Sequence, residues 1–186
     1  MFPSALRKIT ITIDRMSEVV AQFVKYLIIM LIFVLIYEVV ARYVFNSPTI
    51  WALETSKMVF GAIGALCWGY TLKIGGHVRV DVFYTMFSDK WKAIVDVVMT
   101  LIFLFPIQYI LIHSGIKWTL FAFKVNEKMV DSSWLPPSWP FRAVLTIGFI
   151  LFFIQTVSEF TKNVYFILKG NRLIETKSEY VKEGLV

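Results

Sequence analysis

Cysteine and histidine are nearly absent, with one cysteine, Cys67, and two histidines, His77 and His113, in 186 residues. A single thiol excludes an intrachain disulfide and any multi-cysteine zinc or cluster site, and it leaves the redox compartment open. Two imidazoles, one in a loop stretch and one near the end of an apolar run, do not supply the paired axial ligands at membrane depth that a bis-histidine haem requires. The chain also lacks a glycine-rich phosphate loop, a paired-carboxylate cluster inside an apolar run, and a serine or cysteine beside an obvious base. The expectation is a protein that is not an enzyme and holds no cofactor or metal.

What the chain has in excess is apolar length. Its hydrophobic content is 58% and its mean hydropathy is positive, more than a soluble domain of this size carries, so the surplus must face lipid. Seventeen Phe and six Trp provide packing volume and the interfacial belts that set the depth of a helix in a bilayer. The net charge of +6 does not point to nucleic acid, because the basic residues are scattered between apolar runs rather than gathered on one reading face.

Four apolar runs, at residues 25–45, 48–72, 93–116 and 141–168, can each cross a hydrocarbon core of about 30 Å at about 1.5 Å per residue. The second is the weakest and needs a snorkelling Lys57 to complete it. Ser47 followed by Pro48 reads as its N-cap and first helical position. Ahead of the first run, Phe2, Leu6, Ile9, Ile13, Met16, Val20 and Phe23 recur on one helical face, so residues 1–23 read as an amphipathic helix at the interface or against a protein partner. The basic residues before the first run resemble a signal peptide's start, but the cleavage signal is poor and the run continues to Phe45, which predicts a retained helix. The fold class expected is therefore an all-α integral membrane protein, four transmembrane helices preceded by an amphipathic one, in a single domain. After Gly170 and Asn171, a helix stop, residues 171–186 read as a polar cytoplasmic tail.

Orientation follows from the distribution of lysine and arginine. Thirteen lie in the two termini and the loop after the second run, against six on the other side. The positive-inside rule then places both termini in the cytoplasm.

Several residues stand out as candidate sites. Gly61, Ala65 and Gly69 form a strip of small side chains with Gly64 beside it, where a second helix, from a partner or from this chain, can approach closely. Glu38 and Arg42, four apart, are expected to pair on one helix face, as are Glu54 and Lys57 at three apart. His77, Arg79 and Asp81 alternate in a short loop that is either a solvated turn or a contact for an anionic lipid head group or a partner loop. Pro106 is expected to kink or loosen the third run, which also holds Gln108 and His113. Trp134 and Trp139, among Pro136, Pro137 and Pro140, form an interfacial turn leading into the last run.

The stretch from Arg42 through Asn46 to Pro48, then Trp51 and Glu54, the small-residue helix, and Gly76, His77, Arg79 and Asp81 resembles the DctQ family, the small permease subunits of tripartite ATP-independent periplasmic (TRAP) transporters. The resemblance covers most of the chain, including the four-span layout and the entry to the last helix from Trp134 to Arg142. It implies a bacterial inner-membrane location and two protein partners, a large permease subunit that holds the sodium and substrate sites and a periplasmic substrate-binding protein that delivers an organic acid. This chain would then be a fixed membrane scaffold whose remaining contacts are membrane lipids. The readings from other classes are a self-sufficient homo-oligomeric transporter or channel, and a membrane subunit of a haem or quinone enzyme.

Overall fold

The computed structural model describes residues 2–76, 87–171 and 173. Among these residues the chain is helical and holds no β-strand. Helix α1 spans Phe2–Tyr43 and α2 spans Ala52–Lys73. A third rod begins as α3, Asp89–Met99, passes through a π-helical turn at Thr100–Leu104, and continues as α4, Phe105–Lys124. Helix α5 spans Trp139–Lys169.

Among the described residues, three segments are long and apolar enough to cross a membrane: Ala5–Tyr43, Asp89–Lys124 and Trp139–Lys169. The 22-residue α2 falls short in apolarity, though not in length at roughly 33 Å. Its charged first turns, with Glu54 and Lys57, dilute the run, and its flanks are covered by α1 and α5 rather than open to lipid alone.

The residues read as an amphipathic helix, 1–23, and those read as a first span, 25–45, fall largely in one element. Helix α1 runs unbroken through both, 42 residues or roughly 63 Å. The most buried line of α1 is offset from the apolar stripe. Thr10, Ser17 and Val24, seven apart, are buried, whereas Ile9 and Phe23 are more than half exposed. On that line Ser17 bonds Gln155 of α5 and Thr10 bonds the carbonyls of its own helix, while Leu6, Ile13, Met16 and Val20 of the stripe are half-buried.

Two boundaries move for local reasons. Glu38 accepts hydrogen bonds from both the backbone N–H (3.1 Å) and the hydroxyl of Thr49, and the Thr49 hydroxyl oxygen in turn accepts from the Ala52 N–H at 3.4 Å. The α2 N-cap is Trp51, with the Thr49 oxygen beside the first turn, and Ser47 and Pro48 belong to the connection. The third rod extends past 93–116 at both ends. Its π-helical turn lies just before Pro106, which has no N–H to donate and crowds the carbonyl one turn earlier; widening that turn accommodates it without ending the helix. Helix α5 closes at Gly170, whose φ of 73° is reached without strain because it has no Cβ.

Helix α5 touches each of the other helices, and α1 packs on both α2 and α5. Helices α2 and α5 run parallel: Gly61 meets Phe141, Ala65 meets Gly148, and Gly69 meets Leu151 and Gln155. The bundle thus has a Trp51 end, where α2 and α5 begin, and a Lys73 end, where they finish.

Candidate functional site

At the Trp51 end, the turn after α4 folds back on the start of α5. Ser138 donates to the Glu127 carbonyl and Met129 to that of Pro136, each at 2.8 Å. These bonds place Arg142, only 8% exposed, under the turn. Its guanidinium pairs with Glu127 and reaches the Trp118 carbonyl at 3.4 Å. It also lies 4.0 Å over the Trp118 ring, a cation–π contact strengthened by exclusion of water. Trp139 sits edge-on to Phe123, 5.5 Å between centroids, and Trp134 lies partly exposed in the same turn.

Arg42 bonds Glu38 at 2.5 Å as the four-residue spacing predicts. Trp51 stacks on Tyr37, with centroids 5.7 Å apart, fixing the start of α2 against the end of α1. The Glu54–Lys57 pair expected from spacing is corrected: Lys57 reaches Asp131 at 2.6 Å instead. Glu54 is fully buried, and neither of its carboxylate oxygens has a hydrogen bond among the described residues.

The small-residue strip of α2 packs on this chain's own α5. A Cβ on Gly148 would stand 2.7 Å from both the carbonyl oxygen and the Cβ of Ala65. Backbones meet there, and no larger residue fits. Gly61 lies under the Phe141 ring, with an added Cβ 2.6 Å away, and Gly69 lies between Ser17 and the α5 backbone. Gly64 differs, since no described residue comes within 4 Å of a Cβ built on it.

Sequence reasoning missed the most elaborate cluster, which joins α1, α2 and α5 toward the Lys73 end. Lys162, 7% exposed, bonds both carboxylate oxygens of Asp14 at 2.9 and 2.7 Å and Glu159 at 2.7 Å. Gln155 donates to Asp14 at 2.9 Å and accepts from Ser17 at 2.7 Å. Ser158 donates to Asp14 at 3.4 Å. Lys73 adds a bond to Glu18 at 2.5 Å and one to the Asp14 carbonyl at 3.3 Å. Gln155, Ser158, Glu159 and Lys162 recur at steps of three, one and three along one face of an apolar helix, and that periodic polar line was the available signal.

A family model described as tripartite ATP-independent periplasmic transporters, DctQ component, matches residues 31–164. The chain belongs to the DctQ family. The match runs from within α1 to late α5, so it takes in every helix described above. This DctQ chain is also similar to the sialic acid TRAP transporter permease protein SiaT of Haemophilus influenzae (strain 86-028NP), 26% identical over 121 residues. Those residues are 64% of this chain and 19% of the relative. The chain therefore spans about a fifth of the length of that curated relative.

Of the residues that carried the family resemblance, the fold brings Arg42, Trp51 and Glu54 to the Trp51 end, where Trp134, Trp139 and Arg142 also lie. His77, Arg79 and Asp81 fall outside the described residues. Gln108, in the third rod, donates to the buried Thr156 hydroxyl at 2.7 Å, while His113 stacks on Tyr109 on the exposed side.

Proposed function

We propose that this small TRAP membrane subunit is a fixed scaffold for a large permease, in sodium-coupled uptake of an organic acid delivered by a periplasmic binding protein. The observation that carries the reading is the DctQ match over residues 31–164. The relative named for sialic acid permeation is several times longer, which leaves ample chain beyond the matched part for ion and substrate sites. The internal geometry agrees with a static role. Backbone contact between α2 and α5, together with the hydrogen-bonded ion pairs on α1, resists sliding of one helix past another.

In the same proposal α2 is a fourth span, admitted despite its polarity because α1 and α5 cover it. Both termini are cytoplasmic, in a bacterial inner membrane. Trp51, Trp134 and Trp139 anchor the periplasmic boundary, and Gly64 meets the partner or lipid. Reconstitution in liposomes tests the assignment. The chain alone should give no saturable uptake, and adding the large permease and binding protein should give sodium-dependent uptake of a carboxylate. Saturable uptake by this chain alone would replace the scaffold with a homo-oligomeric transporter.

A further inference from the structure

A cavity of about 420 Å³ opens at the Lys73 end between the third rod and α5. Its two halves differ in chemistry. Toward the helix ends it is lined by Asp89, Lys92, Asp96, Glu159 and Lys162. Toward the middle of the bundle Met99, Phe103, Leu104 and Ile107 take over. Along the third rod the lining thus passes from charged to apolar within about three turns, the same gradient a bilayer has between head groups and acyl chains. The π-helical turn at Thr100–Leu104 lies where the lining changes, and such widened turns recur at functional sites.

We propose that this cavity holds the head group and upper chain of a glycerophospholipid whose head carries a primary ammonium, as phosphatidylethanolamine does. Three features select that occupant. Its volume falls in the range of roughly 300–1,000 Å³ that accommodates small molecules, yet half the wall is apolar, so the ligand is an amphiphile rather than a soluble solute. Three carboxylates against two ammonium groups make the charged half unfavourable for a free organic acid or a purely anionic head. Both signs are nonetheless present, so a zwitterion finds the Lys92 ammonium for its phosphate and carboxylates for its N–H donors, the three Lys162 N–H groups being given to Asp14 and Glu159. The site is also built, because Lys162 is held rigidly by Asp14 and Glu159 and needs no rearrangement to present one wall.

The full chain, purified in detergent and exchanged into defined lipids, tests this by native mass spectrometry and thermal unfolding. Phosphatidylethanolamine should be retained at one molecule per chain, about tenfold more strongly than phosphatidylcholine, which has the same phosphate but no N–H on its head; that preference corresponds to one charge-assisted hydrogen bond. Asp96→Asn should lessen the preference, and Phe103→Trp, which fills the apolar half, should lower retention of both lipids. The second variant keeps the test open if the first folds poorly. Equal retention of phosphatidylglycerol would refute the head-group assignment. Protection by soluble phosphoethanolamine equal to that by the lipid would refute the amphiphile. A well-folded chain that retains no lipid would refute the site.

Discussion

Replacing Lys162 with methionine should destabilise the chain more than any change on its lipid-facing surface. The ammonium is 7% exposed and bonds Asp14 and Glu159, each at 2.7 Å. Removing one partner of a buried ion pair leaves the other charge without compensation, at a cost of about 3–5 kcal/mol. Asp14 keeps its bonds from Gln155 and Ser158, which places the loss near the lower limit, about 3 kcal/mol. For a chain of this length that corresponds to a fall of about 6–12 °C in Tm. Tryptophan-fluorescence melting of the full chain in detergent measures it. The double variant Asp14→Asn, Lys162→Met removes one of the stranded charges and should recover about 1–2 kcal/mol of the loss. A Lys162→Met chain melting within about 1 °C of the parent, or a double variant whose losses simply add, would show that the cluster is solvated and does not clamp the helices.

Gly148→Ala places a methyl 2.7 Å from the Ala65 carbonyl oxygen, so it should lower stability by about 1–3 kcal/mol in the same melting assay. Gly64→Leu should leave the isolated chain's Tm unchanged, because that position is open, and should lower co-purification with the large permease. Arg142→Lys loses the planar contact with Trp118 and should cost about 1–2 kcal/mol, detectable as a lower Tm with altered tryptophan emission. Reporter fusions at either terminus should show cytoplasmic activity; strong periplasmic activity of an intact C-terminal fusion would refute the proposed topology.

The apolar runs were legible because lipid exposure is a local requirement, satisfied residue by residue along each helix. Pro106 was legible for the same reason, since its missing N–H acts within one turn. The readings that changed depended on partners far along the chain. Asp14, Ser17 and Glu18 lie off the apolar stripe of residues 1–23, and their sequence neighbours give no sign of the bonds they make. In the fold, Asp14 and Ser17 reach α5, 138 to 148 residues away, and Glu18 reaches α2. The same effect defeated the Glu54–Lys57 pair. Spacing permits it, but Asp131, 74 residues from Lys57, lies closer once the turn after α4 folds back.

Those distant partners also explain how a membrane helix pair keeps its register. Apolar contacts between helices are non-directional, and lipid tails compete with them on nearly equal terms, so they fix proximity without fixing position along the axis. Close backbone approach at Ala65 and Gly148 adds shape. A shift of α5 by one turn would drive larger side chains into that joint. The cluster around Lys162 extends the constraint to α1, since its hydrogen bonds hold at one register and leave buried charges unpaired at any other. Two devices of different chemistry, spaced along α5, thus prevent both sliding and rotation among α1, α2 and α5. On the scaffold reading, these three helices form one rigid wall, and the movement that carries a solute across the membrane falls to the partner subunit.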